Sequence, residues 1–551
     1  MRSHRLIIVA LCALAVLLAA VGADATIPPK KGVNWPQAYS DRLQQDATAF
    51  SYSRSYLPLV QQVRANRMAV QQGTMTVAAA NASGGLMVSG SRSIPVLTAK
   101  YSNTGADPYP HGDLQTELFD GPWPTGTMSQ FYQEISYGNF SVTGTVFPWH
   151  ALTQNDVFYE GGCNGLCAAS QVGQFLTDTL AARDGALDFS QFDNDGADGL
   201  PNSGDDDGFV DFVAFVHPES GGECGNSNIW SHRWVLSGWT GSSFTTNDAR
   251  NGGGFIEVDD YVIQPAFACN GTTMIEIGVF AHEFGHAFGL PDLYDTDSSN
   301  GDSEGIGNWG LMAGGSWGGD GQSPERPTHM SAWSKEFLGW VSPTLVPTDL
   351  DPAAIDNIEQ NPVALRMEIS PGEYYLVSNR QQVLSDQNLP AGGVLIWRIN
   401  DSVISANMNT NRVNADENNK GVDLEEADGN ADLDNAINRA DAGDPFRGSS
   451  GNQTFDAGSN PQSAGTNAVC EVGTLADPMS AKLLVSTNQC AGGPSCSSLG
   501  PLPVPGGGTG NFLYLLLGIL PLALGGLLAL RSRRRWRFEA RPLPASAPGA
   551  R

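Results

Sequence analysis

One twelve-residue run constrains this 551-residue chain more than any other: Ala281-His282-Glu283-Phe284-Gly285-His286-Ala287-Phe288-Gly289-Leu290-Pro291-Asp292. Histidines four apart stand one above the other on a single helical face, so both imidazoles can face one zinc ion. Glu283, beside the first, is placed to take a proton from a water held there. Gly289 lets the chain leave the helix in the left-handed conformation that side chains resist. Three residues later Asp292 can return as the third ligand. Thr272 or Thr273 reads as the N-cap, with Met274, Ile275, Ile277, Val279 and Phe280 as an apolar lead-in. Phe284 and Phe288 fall on the side away from the histidines, so one face packs into a core while the other looks into a cleft. Glu304, Glu325 and His329 are the alternatives for the third ligand, and the fixed offset of Asp292 after the helix stop favours it over them. His232 reads as structural.

The two ends of the chain read as targeting segments. Residues 1–25 have the form of a signal peptide: Arg2 and Arg5, an apolar run, then Ala23-Asp24-Ala25 as a small-x-small cleavage site. Residues 512–530 are uncharged, long enough to cross a bilayer, and followed by an arginine cluster from Arg531 to Arg537 that places the tail in the cytoplasm. Residues 491–511 are a Gly/Pro/Ser-rich linker and residues 531–551 a basic cytoplasmic tail. The formal net charge is −28, and setting both ends aside makes the remainder more acidic still. Such a balance excludes nucleic-acid binding through phosphate contacts.

Cys12 lies in the signal, and the other seven cysteines lie where disulfides are allowed. The expected pairs are Cys163–Cys167 and Cys224–Cys269, with Cys470 joined to Cys490 or Cys496. Ahead of the metal motif runs a dense carboxylate loop, in which Asp193, Asp195, Asp207 and Asp211 are the candidate calcium ligands. Calcium takes six to eight hard oxygens, and like charges feeding into the apolar strand that follows would repel without a cation. The cluster Glu425-Glu426-Ala427-Asp428-Gly429 is a weaker second candidate.

Residues 26–92 read as a pro-segment, helical over 39–72 and with a cleavable linker at 78–85. Strands at 94–97 and 141–146 bracket a helix over Met128–Ile135, a further helix covers 168–182, and 210–216 is a buried strand. Strands at 363–369, 373–379, 394–400 and 479–486 make the later part β-rich, with an acidic, asparagine-rich insertion at 409–444.

Together these features resemble the immune inhibitor A-type secreted zinc metallopeptidases, a metzincin-like family. The resemblance rests on the HExxHxxGxxD pattern, on Phe131-Tyr132-Gln133-Glu134-Ile135-Ser136-Tyr137-Gly138, on Ile229-Trp230-Ser231-His232-Arg233-Trp234, on Met330-Ser331-Ala332-Trp333-Ser334-Lys335 with Leu338-Gly339-Trp340, and on Leu395-Ile396-Trp397 and 422–427. It implies His282, His286 and Asp292 as zinc ligands, Glu283 as catalytic base, and Met312 as the methionine of a turn beneath the metal. Some metzincins carry a tyrosine two residues after that methionine; here the position is Gly314.

The resulting expectation is an α+β, metzincin-like catalytic domain over 93–345, a β-rich C-terminal domain over 346–490, and a C-terminal transmembrane helix. Its function is that of a secreted or surface-anchored zinc endopeptidase acting on extracellular proteins or peptides. It is made as a zymogen and stabilised by calcium. The glycine motif at 505–510, the span and the basic cluster resemble the GlyGly-type C-terminal sorting tails of bacterial exported proteins, which implies an anchor that a sorting protease can remove. The competing expectation is a calcium-dependent surface binding protein that keeps the fold without turnover.

Overall fold

A computed structural model describes residues 26–490 except 47–48, 52–55, 197, 298–299 and 301–302. Three strands with apolar residues on both faces form its centre: β1 (Gly90–Lys100), β3 (Val213–Ser220) and β7 (Asp260–Phe267). Near-continuous apolar runs are what parallel strands covered on both sides require. With β2 (Phe140–Ala151) and β4 (His232–Val235) they make a five-stranded sheet in the order β2–β1–β3–β7–β4. All pairings are parallel except that of β4, an antiparallel edge beside β7. β5 (Phe244–Ala249) and β6 (Phe255–Val258) form a separate two-stranded ribbon.

Helices cover this sheet. Met128–Ile135 starts in a capping box, in which Thr127 accepts from the Gln130 backbone and the Gln130 side chain accepts from the Thr127 N–H. Val172–Arg183 begins four residues later than the predicted 168. Ile277–Ala287 is buried along its whole length. It begins beyond the Thr272/Thr273 cap read from the sequence, because residues 273–275 are drawn into extended pairing: Ala268 N–H donates to Thr273 O, and Ile275 N–H to Ala266 O. Glu276 takes the N-cap position without a side-chain cap bond. Phe284 and Phe288 meet Phe212 edge to face at 5.0 and 5.8 Å, which fixes the helix's apolar side against the sheet.

Downstream, β8 (Thr344–Leu345), β10 (Leu365–Ser370), β11 (Glu373–Arg380), β12 (Gly393–Asn400) and β13 (Val422–Leu424) form a second sheet in the order β13–β12–β11–β10–β8. β9 (Leu350–Ile355), β14 (Ala468–Cys470) and β15 (Met479–Leu484) form a third. The four predicted strands of this region are β10, β11, β12 and β15; the short β8, β13 and β14 carry too few residues to show a period. Disulfides join Cys163–Cys167, Cys224–Cys269 and Cys470–Cys490. Cys496, the signal segment, the linker, the apolar run 512–530 and the basic tail lie outside the described residues. Among the described residues no helix is long and apolar enough to cross a membrane.

The segment after residue 26 is built into this core. Helix Tyr56–Gln71 falls within the predicted helical span and Gln37–Gln45 starts two residues before it, and Ile27, Tyr39, Leu43, Phe50 and Val60 join the same buried cluster as the central sheet. The expected linker at 78–85 is partly helical (Val77–Asn81) and firmly held, since Asn66 Nδ2 lies 2.8–3.3 Å from the carbonyls of Ala80, Ser83 and Gly85.

Candidate metal centre and its cleft

The metal helix brings His282 and His286 together, and the chain returns after Gly289 (φ +91°) to bring Asp292 beside them. The two Nε2 atoms lie 3.1 Å apart, and Asp292 Oδ1 lies 3.1 and 3.2 Å from them. All three side chains are buried. Each Nδ1 faces a backbone carbonyl at 2.9 Å, Leu311 O for His282 and Leu290 O for His286. Those carbonyls take the Nδ1 protons and leave both Nε2 lone pairs pointing at the Asp292 oxygen. Three acceptors facing one buried point need a cation between them, and a two-imidazole, one-carboxylate set suits zinc. Burial would raise the Asp292 carboxyl, but the adjacent His286 and His282 hold it below the usual carboxylate range.

Glu283 is fully buried on the same helix. Burial, with Asp292 and then Glu223 as like charges, pushes its carboxyl well above the ordinary value, while the Ile27 N–H and Arg233 pull the other way. Met312 lies under the helix at Gly285, where a Cβ would come within 2.4 Å of Met312 Sδ. Gly285 is therefore the socket for the methionine. Tyr132 Oη donates to Ala281 O at 2.7 Å, tying Met128–Ile135 to the metal helix.

Of the alternative third ligands, Glu304 accepts from Arg439 Nε at 2.7 Å and His329 Nε2 sits 2.8 Å from Glu134 Oε1. Neither is in the metal cluster, nor is Glu325. His232 is spent on Trp230 O and Tyr261 Oη, both at 2.7 Å, as a structural residue would be.

Sequence reasoning missed the residues that reach this centre from far along the chain. Thr26 O lies 3.2 Å from His282 Nε2 and accepts from Tyr294 Oη at 2.6 Å, while Thr26 N–H donates to Asp292 Oδ2 at 3.3 Å. Thr26 forms an antiparallel bridge with His232 on the edge strand β4, and Ile27 N–H donates to Ser231 O. The indoles of Trp230 and Trp317 hold Ile27 O and Pro28 O at 3.0 and 2.9 Å, and Arg439 Nη1 holds Pro29 O at 2.7 Å. Trp35 then stacks on Tyr39, Trp230 and Tyr294. Asn411, 119 residues beyond Asp292, clasps that aspartate. Neither Thr26 nor Asn411 belongs to a motif, so only the fold exposes them.

In the acidic loop, Asp193 and Asp195 come together with Asp206, a residue the sequence reading passed over. Asp207 and Asp211 stand behind: Asp207 N–H donates to Asp195 Oδ1 at 3.3 Å, and Asp211 Oδ1 accepts from Asn194 N–H at 3.0 Å. Neither oxygen of buried Asp193 has a hydrogen-bond partner. Burial, then the surrounding aspartates, push Asp193 up to about 8 and Asp195 to about 7.

A largely parallel sheet with one antiparallel edge, a buried His-His-Asp cluster on a helix and a methionine beneath it define a metzincin-type zinc peptidase domain. The profile described as "Immune inhibitor A peptidase M6, catalytic domain" matches residues 113–341, and that stretch is a catalytic domain of this family. The chain is 34% identical over 244 residues to Immune inhibitor A of Bacillus thuringiensis subsp. alesti, covering 41% of this chain and 34% of that protein. It is 32% identical over 262 residues to Pre-pro-metalloprotease PrtV of Vibrio cholerae serotype O1 (strain M66-2), covering 44% of this chain and 27% of that protein. The match thus spans about a third or less of the length of these curated relatives.

Proposed function

We propose that the protein is an exported zinc-dependent endopeptidase, held latent by its own residues 26–35. The observation that carries this reading is the placement of Glu283 on the helix that presents His282 and His286, with Asp292 closing the set. Zinc bound there would supply Lewis acidity and a water acidified toward neutral pH. Glu283 takes the proton of the attacking water and later delivers it to the leaving nitrogen. The edge strand β4 offers its backbone to an extended substrate, as the Thr26–His232 bridge illustrates. Tyr294 Oη, which already donates to the Thr26 carbonyl, is placed to donate to a substrate carbonyl at the same point. That hydroxyl fills the role for which Gly314 has no side chain.

Latency follows from the same contacts. Residues 26–29 lie where a substrate strand would lie, and five named side chains fasten them there: Tyr294, Trp230, Trp317, Arg439 and Asp292. Catalysis requires their departure, which supports the zymogen reading. The three disulfides favour an oxidising, exported setting. The names of the relatives, a metalloprotease among them, agree with it. The Asp193–Asp195–Asp206 group supports a stabilising calcium ion, and the sequence of 512–537 supports a membrane anchor that processing can remove.

The test is proteolysis of an unfolded protein such as casein by the processed chain, before and after zinc is stripped and restored. Cleavage that disappears and returns with zinc supports the proposal. A zinc-loaded, processed chain that cleaves no peptide across a broad library would instead establish the surface binding protein.

A further inference from the structure

The insertion after β13 holds a second group of carboxylates that the peptidase reading does not use. One oxygen each from Glu426, Asp428 and Asp444 lies within 4.8 Å of the others, and Glu426 and Asp444 are buried. Asp444 is fully enclosed, and its Oδ1 has no hydrogen-bond partner. Its Oδ2 is committed elsewhere, to Trp309 Nε1 at 2.8 Å and Asp441 N–H at 2.9 Å. A buried carboxylate oxygen without a donor is costly, so a fold keeps one only when something else satisfies it.

No basic side chain does so. Lys420 is paired with Asp423 and Asp434, and Arg439 with Glu304. Among the described residues no ion pair involves Glu426, Asp428 or Asp444. The backbone is shaped around the carboxylates as well: at Gly443 a Cβ would come within 2.3 Å of Asp428 Oδ2 and 2.9 Å of Asp441 Oδ1. Asn438 Oδ1 is also buried and without a hydrogen-bond partner, while its Nδ2 donates to Asp432 Oδ2 and Asp441 Oδ2.

We propose that Glu426, Asp428 and Asp444 bind a calcium ion that fastens the insertion beneath the metal-centre loop. An all-oxygen, carboxylate-rich set favours calcium over zinc or copper. The loop it orders reaches the catalytic half directly. Leu433 O accepts from Glu304 N–H at 2.9 Å, Arg439 O from Asn308 N–H at 2.6 Å, and Asp444 itself from the Trp309 indole. Residues 308–309 lead into Met312, so the cation supports the floor of the metal centre. This site is separate from the Asp193 group and from the zinc cluster, and its occupancy does not depend on the chain being an active peptidase.

Terbium, which takes calcium's place among oxygen ligands and is excited through a nearby indole, reads this site through Trp309. The full chain carrying Glu283→Gln, so that it cannot digest itself, is stripped of calcium, reloaded with zinc and titrated with terbium. Sensitised emission that calcium displaces, at a Kd of about 10⁻³ M or tighter, is the expected result. Asp444→Asn and Asp428→Asn should each abolish most of that emission and lower bound calcium by one ion per chain, while Asp193→Asn keeps it. Both variants should still bind zinc, which shows that they fold. Unchanged emission and calcium content in zinc-loaded Asp428→Asn and Asp444→Asn would overturn the proposal, as would emission lost only in Asp193→Asn.

Discussion

Asn411 holds Asp292 from two sides: its Nδ2 donates to Asp292 Oδ2 at 2.7 Å, and its Oδ1 accepts from the Asp292 backbone N–H at 2.7 Å. The clasp leaves Asp292 Oδ1 turned toward the two histidines. Asn411 sits in the left-handed region at φ 54°, which asparagine tolerates better than most residues. Asn411→Ala should therefore lower zinc affinity by about 10- to 100-fold, the usual effect of losing a residue that orients a ligand. Competition with a zinc-binding dye measures it; affinity equal to wild type would remove Asn411 from the metal site.

The His282–His286–Asp292 cluster was legible in the sequence because helical periodicity fixes His282 and His286 on one face and Gly289 fixes the exit toward Asp292. Asn411 was not legible. Its role arises from the insertion folding back across 119 residues, and no local pattern encodes that return. Thr26 shows the same limit: a bare threonine after an apolar segment says nothing of a cleft. Of the central strands, β1 and β3 were legible in part from their apolar runs, whereas β7 was not, and the three-residue β13 and β14 offer no period to read. The N-cap of the metal helix was misplaced because residues 273–275 pair with the chain leaving β7, a tertiary constraint that overrides a good local cap.

Tyr294→Phe removes a hydroxyl that meets the Thr26 carbonyl at 2.6 Å and alters nothing that would hold zinc. On the reading given, kcat for a peptide substrate falls by about 10²-fold while bound zinc stays at the wild-type level. A kcat within twofold of wild type would assign Tyr294 to the latent state alone.

A synthetic peptide of residues 26–35, Thr-Ile-Pro-Pro-Lys-Lys-Gly-Val-Asn-Trp, should inhibit the processed enzyme competitively. Replacing its final tryptophan by alanine should weaken it, because Trp35 stacks on Trp230 at 5.1 Å and on Tyr294 at 5.8 Å. Noncompetitive inhibition, or none at millimolar peptide, would argue against occupation of the substrate path.

Glu117, nearly fully buried beside Glu276 at the start of the metal helix, gives the fold a pH dependence. Burial, then Glu276, raise its carboxyl from 4.5 to about 9. The folded state therefore holds a proton that the unfolded chain releases between those values. This contribution to stability is whole below about pH 4.5 and is lost as pH rises through about 9. Glu117→Gln cannot ionise, so the decline in melting temperature between pH 6 and pH 9 should be shallower than in wild type. The variant should gain on the order of 1–3 kcal/mol at the alkaline end. Parallel pH profiles of the two proteins would show that Glu117 does not titrate with folding.

The central claim is that Glu283 does chemistry while His282, His286 and Asp292 hold the metal, and processed Glu283→Gln separates the two. The substitution keeps the side chain's size and removes its basicity. Zinc content and kcat for casein-derived peptides should be measured on the same preparation. Zinc should remain near one per chain, and kcat should fall by about 10²- to 10⁴-fold or more, since the same carboxylate serves both proton transfers. Full activity in zinc-loaded Glu283→Gln would contradict the account.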